Sequence, residues 1–497
     1  MSEDHRFRVG GAGTTGVALV NAAATQGTAD GRMVARPSAL GRFQASGRAY
    51  AFMLLVLLLV SEIKLRQRDS ELALEASVDG QVLFELVVWA AVGCWVILRL
   101  TGADRIVWTS FPSRVGPALR VYVLIAALAV ILSVYSLSLL SMVRAGQLAV
   151  LCGVALLLDH DLSTGRVTIE AVWLWFRRGM WGLVIMLTLV VAAIPSLTPM
   201  KATMGLGRYH WFSTHEITTG VVIGIALVLL AGSALAFPDP WLDRGIGPAM
   251  RLLMMGGFGV LLLATRSRTP LFATVAALLL MAVLARSRRR RSETILLIGA
   301  ILLILSGVGV EQLADSVSRG QSAEQIASLT GRDAIYRAAW QLFTEQPLIG
   351  HGYQSGRFIF LQRIPWAPGN SHSALVDIAI SMGVVGLLAY LWLFVRLGMS
   401  FRTLFRRRTM TAENLWAREV APLAVMLLLM GVTVNGFSGA VGAQPILFAF
   451  AVLAADAWWR STRRAQPRIG GQQQQQLLTR LDELGPRPAH LSTTSTR

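Results

Sequence analysis

The chain has 497 residues, of which 54% are hydrophobic and only 15% charged, with a formal net charge of +18. Soluble globular chains carry about a quarter charged residues, and apolar stretches of membrane-spanning length recur along most of this sequence. Composition therefore excludes a soluble enzyme, and counting domains by length does not apply. Nor does the positive charge point to nucleic acid. Lys64 and Lys201 are the only lysines, much of the arginine falls in connectors between apolar runs, and no basic stripe is interleaved with aromatics. Basic connectors orient a membrane protein and meet anionic lipid on the cytoplasmic side.

Residues 1–48 are rich in Gly, Ala, Thr and Arg and predict a disordered cytoplasmic N-terminus. They are too long for the n-region of a signal peptide, so the first apolar run reads as a retained helix. About twelve helical spans follow. They lie near 49–63, 82–99, 117–133, 142–158, 179–195, 218–236, 249–265, 270–285, 294–309, 374–395, 420–436 and 441–458. The ranges 49–309 and 374–458 thus hold nine spans and three. An even count places both termini in the cytoplasm. The connectors "RLTGADRIVWTSFPSR", "FRRGM", "RSRRRRSE" and "FRTLFRRRTMTAENLWAR" then face the cytoplasm too, and all are arginine-rich, as the positive-inside rule requires. Cys94 and Cys152 fall inside apolar runs and read as small buried hydrophobes, without a disulfide framework or metal-ligand spacing.

On the other side two connectors are long. One is 196–217, "SLTPMKATMGLGRYHWFSTHEI". The second, 310–373, is large enough for a small periplasmic subdomain of short helices. In it Ser322 and Gln325 fit a capping box, and Ile335, Ala338, Leu342 and Phe343 share one helix face. Pro347 ends that helix, and "LIGHGYQSG" follows as a glycine-rich turn region. Residues 459–497, with five consecutive glutamines, read as a disordered cytoplasmic tail. There is no GxGxxG, Walker or HExxH motif, hence no sign of a nucleotide-driven pump.

The outer side is also where arginine is not expected, yet Arg266 and Arg268 lie in the short connector "ATRSRTP". Arg332, Arg337, His351, Arg357, Arg363 and His372 share that side, as do Arg208, His210, His215 and Glu216. Arginine suits phosphate or pyrophosphate because its planar fork donates two parallel hydrogen bonds and stays charged. A membrane-embedded anion, such as a lipid-linked pyrophosphate, would offset the desolvation of several such cations. Other readings stand beside this one. Arg266 and Arg268 can snorkel to the interface, and Arg332 can pair with Asp333 or Glu324. His372 can be an interfacial hydrogen-bonding residue, and His351 a structural one. The two histidines and Glu216 of the first loop lack the further ligand that a metal site would need.

At these residues the sequence resembles the O-antigen ligase / O-antigen polymerase superfamily. "ATRSRTPLFA", "TGRDAIYRAAWQLFTEQPLIGHGY" and "NSHSALVDIAISMGVVGLLAYL" carry the likeness through their order and spacing. Ser373 stands where many members have Asn, and His351 where an aromatic is common. The resemblance implies an all-α polytopic fold, C-type-glycosyltransferase-like, in the bacterial inner membrane. It also implies transfer of a glycan from undecaprenyl pyrophosphate to an acceptor on the periplasmic face, without metal, cofactor or ATP. The acceptor would be another repeat unit, as in an O-antigen or exopolysaccharide polymerase, or lipid A core, as in a ligase. A chain-length regulator and a flippase would be partners. Arg268 and Arg332, with Arg266 assisting, would stabilise the departing pyrophosphate, and His372 would take or orient the acceptor proton. Arg337, Arg208 and His351 would contact substrate. A transporter or flippase is the alternative of another class; it predicts ionisable residues or broken helices within the spans.

Overall fold

The computed structural model describes residues 47–64, 80–101, 115–136, 138–194, 208–237, 239, 241–242, 245, 247–284, 332–356, 359–360, 371–406, 412–434 and 442–464. Among them the regular elements are helices: α1 (Gly47–Glu62), α2 (Gly80–Thr101), α3 (Pro117–Tyr135), α4 (Leu139–Ser163), α5 (Ile169–Ala193) and α6 (Glu216–Leu235), then α7 (Gly247–Ala264), α8 (Arg268–Leu284), α9 (Arg332–Glu345), α10 (Ala374–Arg406), α11 (Ala412–Thr433) and α12 (Ala443–Arg464). By length and composition, 8 of them can cross a membrane, namely α2 to α7, α10 and α11, while α8 and α12 are shorter apolar helices. The chain is an all-helical, polytopic membrane protein. The expected span at 294–309, the capping box at Ser322 and Gln325, Arg357, Arg363, and residues 1–46 and 465–497 lie outside the described residues, whereas 47–48 belong to α1 and 459–464 to α12 rather than to disordered termini.

α6 is the hub. Every side chain from Val221 to Ala231 is buried, and a helix apolar all round belongs in a core. Gly220 and Gly224, one turn apart, let α8 approach its backbone closely. A Cβ on Gly224 would collide with Thr274 Oγ1, and one on Gly220 would crowd Thr265 and Pro270. This contact seats the first turn of α8, and Arg268 with it, against the central helix. The outermost helices, α2 and α7, expose Leu83, Phe84, Ile97, Leu98, Leu252, Leu253 and Val260, an apolar exterior suited to lipid. Cys94 is on that exterior rather than buried, whereas Cys152 is buried as expected.

Hydrogen bonds sort the helix ends into two groups. At one end Ser213 N–H donates to the Lys64 carbonyl at 2.9 Å, and Tyr209 N–H to the Ala264 carbonyl at 3.0 Å. Lys64 Nζ reaches Glu85 at 3.2 Å, and Glu85 also accepts from Arg144 at 3.0 Å and Gln147 at 3.1 Å. Ala443 N–H donates to Glu62 at 2.7 Å, and Tyr353 N–H to Ser133 Oγ at 3.1 Å. Residues 62–64, 85, 133, 144, 209–214, 264, 353 and 443 therefore share one end, the site end below. At the opposite end Asp456 accepts the N–H groups of Ala118 and Leu119 at 3.0 and 2.8 Å, and Asp161 accepts from Tyr50 and Arg99.

One expected connector is not a connector. "FRRGM", residues 176–180, lies within α5, which begins at Ile169 rather than near 179. Its charges are neutralised in place, so they do not end the helix. Arg177, fully buried, donates to the Phe237 carbonyl at 2.8 Å and to Glu419 at 3.1 Å, and pairs with Asp239 at 3.1 Å. Trp173 Nε1–H donates to the same Glu419 at 2.8 Å. Burial alone would raise the Asp239 carboxyl, but bonds from Arg178 and charge from Arg177 outweigh it and hold it below the usual carboxylate range. The stability from this pairing is present above the ordinary carboxylate pKa and is lost as pH falls through the lowered one. Removing one partner of a buried pair strands the other charge. Glu419→Ala is expected to cost about 3–5 kcal/mol, and the double change Arg177→Met with Glu419→Leu to recover most of it. Apparent Tm in detergent checks both; a wild-type Tm for E419A would refute the bracing role.

α10 is broken at Gly383, whose φ of 62° and ψ of −161° are not helical. The freed backbone groups are taken by the loop after α9. His351 and Gly352 donate to the carbonyls of Ile380 and Ser381, each at 2.9 Å, while Val384 donates to the Pro347 carbonyl at 2.8 Å. Gly350 also has positive φ, 65°. A Cβ on either glycine would collide with the backbone facing it. The motifs "LIGHG" and "SMGVVG" are thus two halves of one backbone joint.

Candidate functional site

α7 ends at Ala264 and α8 begins at Arg268, so three residues must reverse the chain. Thr265 Oγ1 donates to the Leu262 carbonyl at 2.7 Å and accepts Ser267 N–H at 3.3 Å. Arg266 N–H donates to the Leu263 carbonyl at 2.9 Å, and Arg266 takes φ of 49°. Glycine usually fills the left-handed position after a helix; a side chain there costs about 1–2 kcal/mol. Backbone strain of this kind clusters at functional sites.

Arg268 follows in the first turn of α8. Among the described residues its Nε and Nη2 are buried and have no hydrogen-bond partner; the same holds for Ser267 Oγ and for Arg208 Nε. Nε and Nη2 form one edge of the guanidinium fork. Arg178 applies that edge to Asp239, Nε at 3.1 Å and Nη2 at 2.6 Å, which is how a bidentate oxyanion is held. Arg268 presents the same edge with no oxyanion from the described residues.

The 208–216 loop brings a second cation. Tyr209 is bonded to the end of α7, and the Arg208 guanidinium lies within Coulombic range of Arg268. Arg208 Nη1 pairs with Glu216, the first residue of α6. Glu216 offsets Arg208 alone, and Arg268 has no such acid partner among the described residues. The loop histidines are spent locally: His210 Nδ1 contacts the Phe212 carbonyl at 2.8 Å, and His215 Nδ1 accepts Ile217 N–H at 3.2 Å, capping α6.

His372 is at the same end, at the start of α10. It too has a left-handed backbone, with φ of 55°, between buried Ser371 and Ser373. α9, whose first residue is Arg332, lies across this part of α10, burying Ile335, Ala339 and Leu342 against Phe360 and Ile380. Ala339 replaces Phe343 on the expected apolar face, while Phe343 packs at a tilt against exposed Trp340, ring centroids 5.6 Å apart. Arg337 is exposed on the other face. His351 Nε2 is 2.8 Å from the Leu342 carbonyl and ties the glycine loop to α9. Beneath that loop, burial pushes the Tyr353 hydroxyl up to about 12, so it remains protonated, a donor and not a base.

The geometry brings Arg208 within Coulombic range of Arg268 and puts His351, His372 and α9 at the same end of the bundle, around α10. Sequence reading passed over Ser267, Asp377 and the Lys64–Glu85–Arg144 network. Asp377 had one legible signal, a carboxylate in the first turn of an apolar helix just after His372.

The fold and this cluster define a class: a helical membrane protein that gathers desolvated arginine edges at one end of its bundle. Residues 252–391 match the family described as O-antigen ligase, a match that supports the likeness to the O-antigen ligase / O-antigen polymerase superfamily. The matched stretch contains the Arg266–Arg268 turn, α8, α9, the glycine joint and His372. It supports a glycosyltransferase-like function of the ligase/polymerase type on glycan or lipid-linked substrates. No curated protein matches the chain.

Proposed function

We propose that the protein transfers an undecaprenyl-pyrophosphate-linked glycan to an acceptor sugar on the periplasmic face of the inner membrane, polymerising repeat units of an O-antigen or exopolysaccharide. The observation that carries this reading is the unpartnered Nε/Nη2 edge of Arg268 beside Arg208. Two neighbouring guanidinium groups, partly desolvated, call for a multiply charged anion. In the reaction an acceptor hydroxyl attacks the glycosyl C1 while the C1–O–P bond breaks. The bonding pair leaves with the pyrophosphate, and the hydroxyl proton passes to His372. Arg268 takes two oxygens of the leaving group. Arg208, Arg266 and Arg332 add positive charge, and Arg337 and His351 contact the substrate. Charge that grows in the transition state is stabilised most by donors already in place. The site end then faces the periplasm, and the opposite end, with both termini, the cytoplasm.

The description of the matched family favours a second reading, in which the acceptor is lipid A core. A transporter would also use a broken helix and intramembrane charges. Here, however, the break in α10 is filled by backbone from the glycine loop, and Arg177 and Glu419 close on each other. The test is the purified protein in liposomes with an undecaprenyl-pyrophosphate oligosaccharide. Release of undecaprenyl pyrophosphate and growth of the glycan are expected. Donor that crosses the bilayer unchanged would overturn the reading in favour of transport. In cells, single repeat units after gene deletion mark a polymerase, and full-length polymer free of lipid A core marks a ligase.

A further inference from the structure

His372 has a left-handed backbone, and hydrogen bonds clamp the residues on either side of it. Asp377, five residues on in the first turn of α10, accepts the Ser371 N–H at 3.1 Å. Ser371 Oγ donates to the Ser373 carbonyl at 2.8 Å and accepts the Ser373 N–H at 3.2 Å. Asp377 N–H donates to that same Ser373 carbonyl at 2.9 Å. The residues on both sides of His372 are thereby fixed to each other and to the helix. Ser371 and Ser373 are buried, while His372 between them is half-buried. Between these two held residues His372 completes the turn with its left-handed backbone, φ of 55°.

We propose that Asp377 is a positioning residue for the reaction: its carboxylate, acting through the Ser371 N–H, sets the backbone from which the His372 side chain is presented. The inference rests on the reading of His372 as the group that handles the acceptor proton. The carboxylate need not touch substrate. Its work is geometric, since small misplacement of a catalytic group costs rate without weakening binding elsewhere. An ordinary helix-terminus carboxylate would act through its charge; here the accepting oxygen matters, so an amide can replace it.

The experiment compares Asp377→Ala, Asp377→Asn and His372→Ala in the full-length protein, with steady-state transfer from an undecaprenyl-pyrophosphate oligosaccharide. D377A is expected to lower kcat by about a hundredfold, with donor KM and apparent Tm near wild type. D377N keeps an oxygen for the Ser371 N–H and is expected to restore most of kcat. Asp377→Ser, whose hydroxyl is too short for that reach, replaces D377A if the latter does not accumulate. Wild-type kcat in D377A, a changed KM alone, or D377N as slow as D377A would each overturn the proposal. If H372A loses activity and D377A does not, only the positioning role fails. If H372A is fully active, the reading of His372 itself fails.

Discussion

Arg268→Ala is expected to lower glycan transfer by about 10²–10³-fold, the usual loss when one preorganised donor to a developing oxyanion is removed. The loss should appear in kcat, because charge on the pyrophosphate grows as the C1–O bond breaks. Arg268→Lys should restore little. An ammonium supplies the charge but not the two parallel N–H groups of the Nε/Nη2 edge. Stability should move the other way. Among the described residues that edge makes no hydrogen bond, and Arg208 lies within repulsive range, so the alanine variant should melt at or above the wild-type temperature. This is the exchange of stability for activity found at strained or charged sites. Initial rates in liposomes and thermal unfolding in detergent measure the two effects. An R268A protein that transfers glycan normally removes the proposed anion site, and one that unfolds makes Arg268 a structural residue.

The second large effect separates conformation from chemistry at His372. Its φ of 55° costs a residue with a Cβ about 1–2 kcal/mol relative to glycine. His372→Gly relieves that cost and His372→Ala keeps it. Both should lose about 10²–10⁴-fold in kcat, the range for removing a general base. The glycine variant should nevertheless unfold at the higher temperature of the two. Equal melting temperatures would mean that the left-handed backbone stores no strain. Retained activity in both would hand the acceptor proton to another group or to water.

Much of the architecture is legible in the sequence because lipid imposes it. A span must satisfy its backbone internally and present apolar side chains, so runs such as 117–133 and 218–236 mark helices within a turn of their ends. The exception at α5 is instructive. Arg177 and Arg178 look like the end of a span because an unpaired charge cannot stay in hydrocarbon. Their partners, Asp239 and Glu419, are 61 and 242 residues away, beyond what local pattern can register. The motifs "LIGHG" and "SMGVVG" likewise declare that glycine is needed; that each is needed by the other emerges only once the loop lies against α10.

By itself the sequence determined that this is an arginine-rich helical membrane protein. That follows from transfer free energies, which act residue by residue. Tertiary structure alone decided that Arg208 comes within Coulombic range of Arg268, and that the Arg268 fork has no oxyanion among the described residues. Those are relations between distant groups, set by how α6, α8 and α10 pack, and electrostatic function depends on such distances.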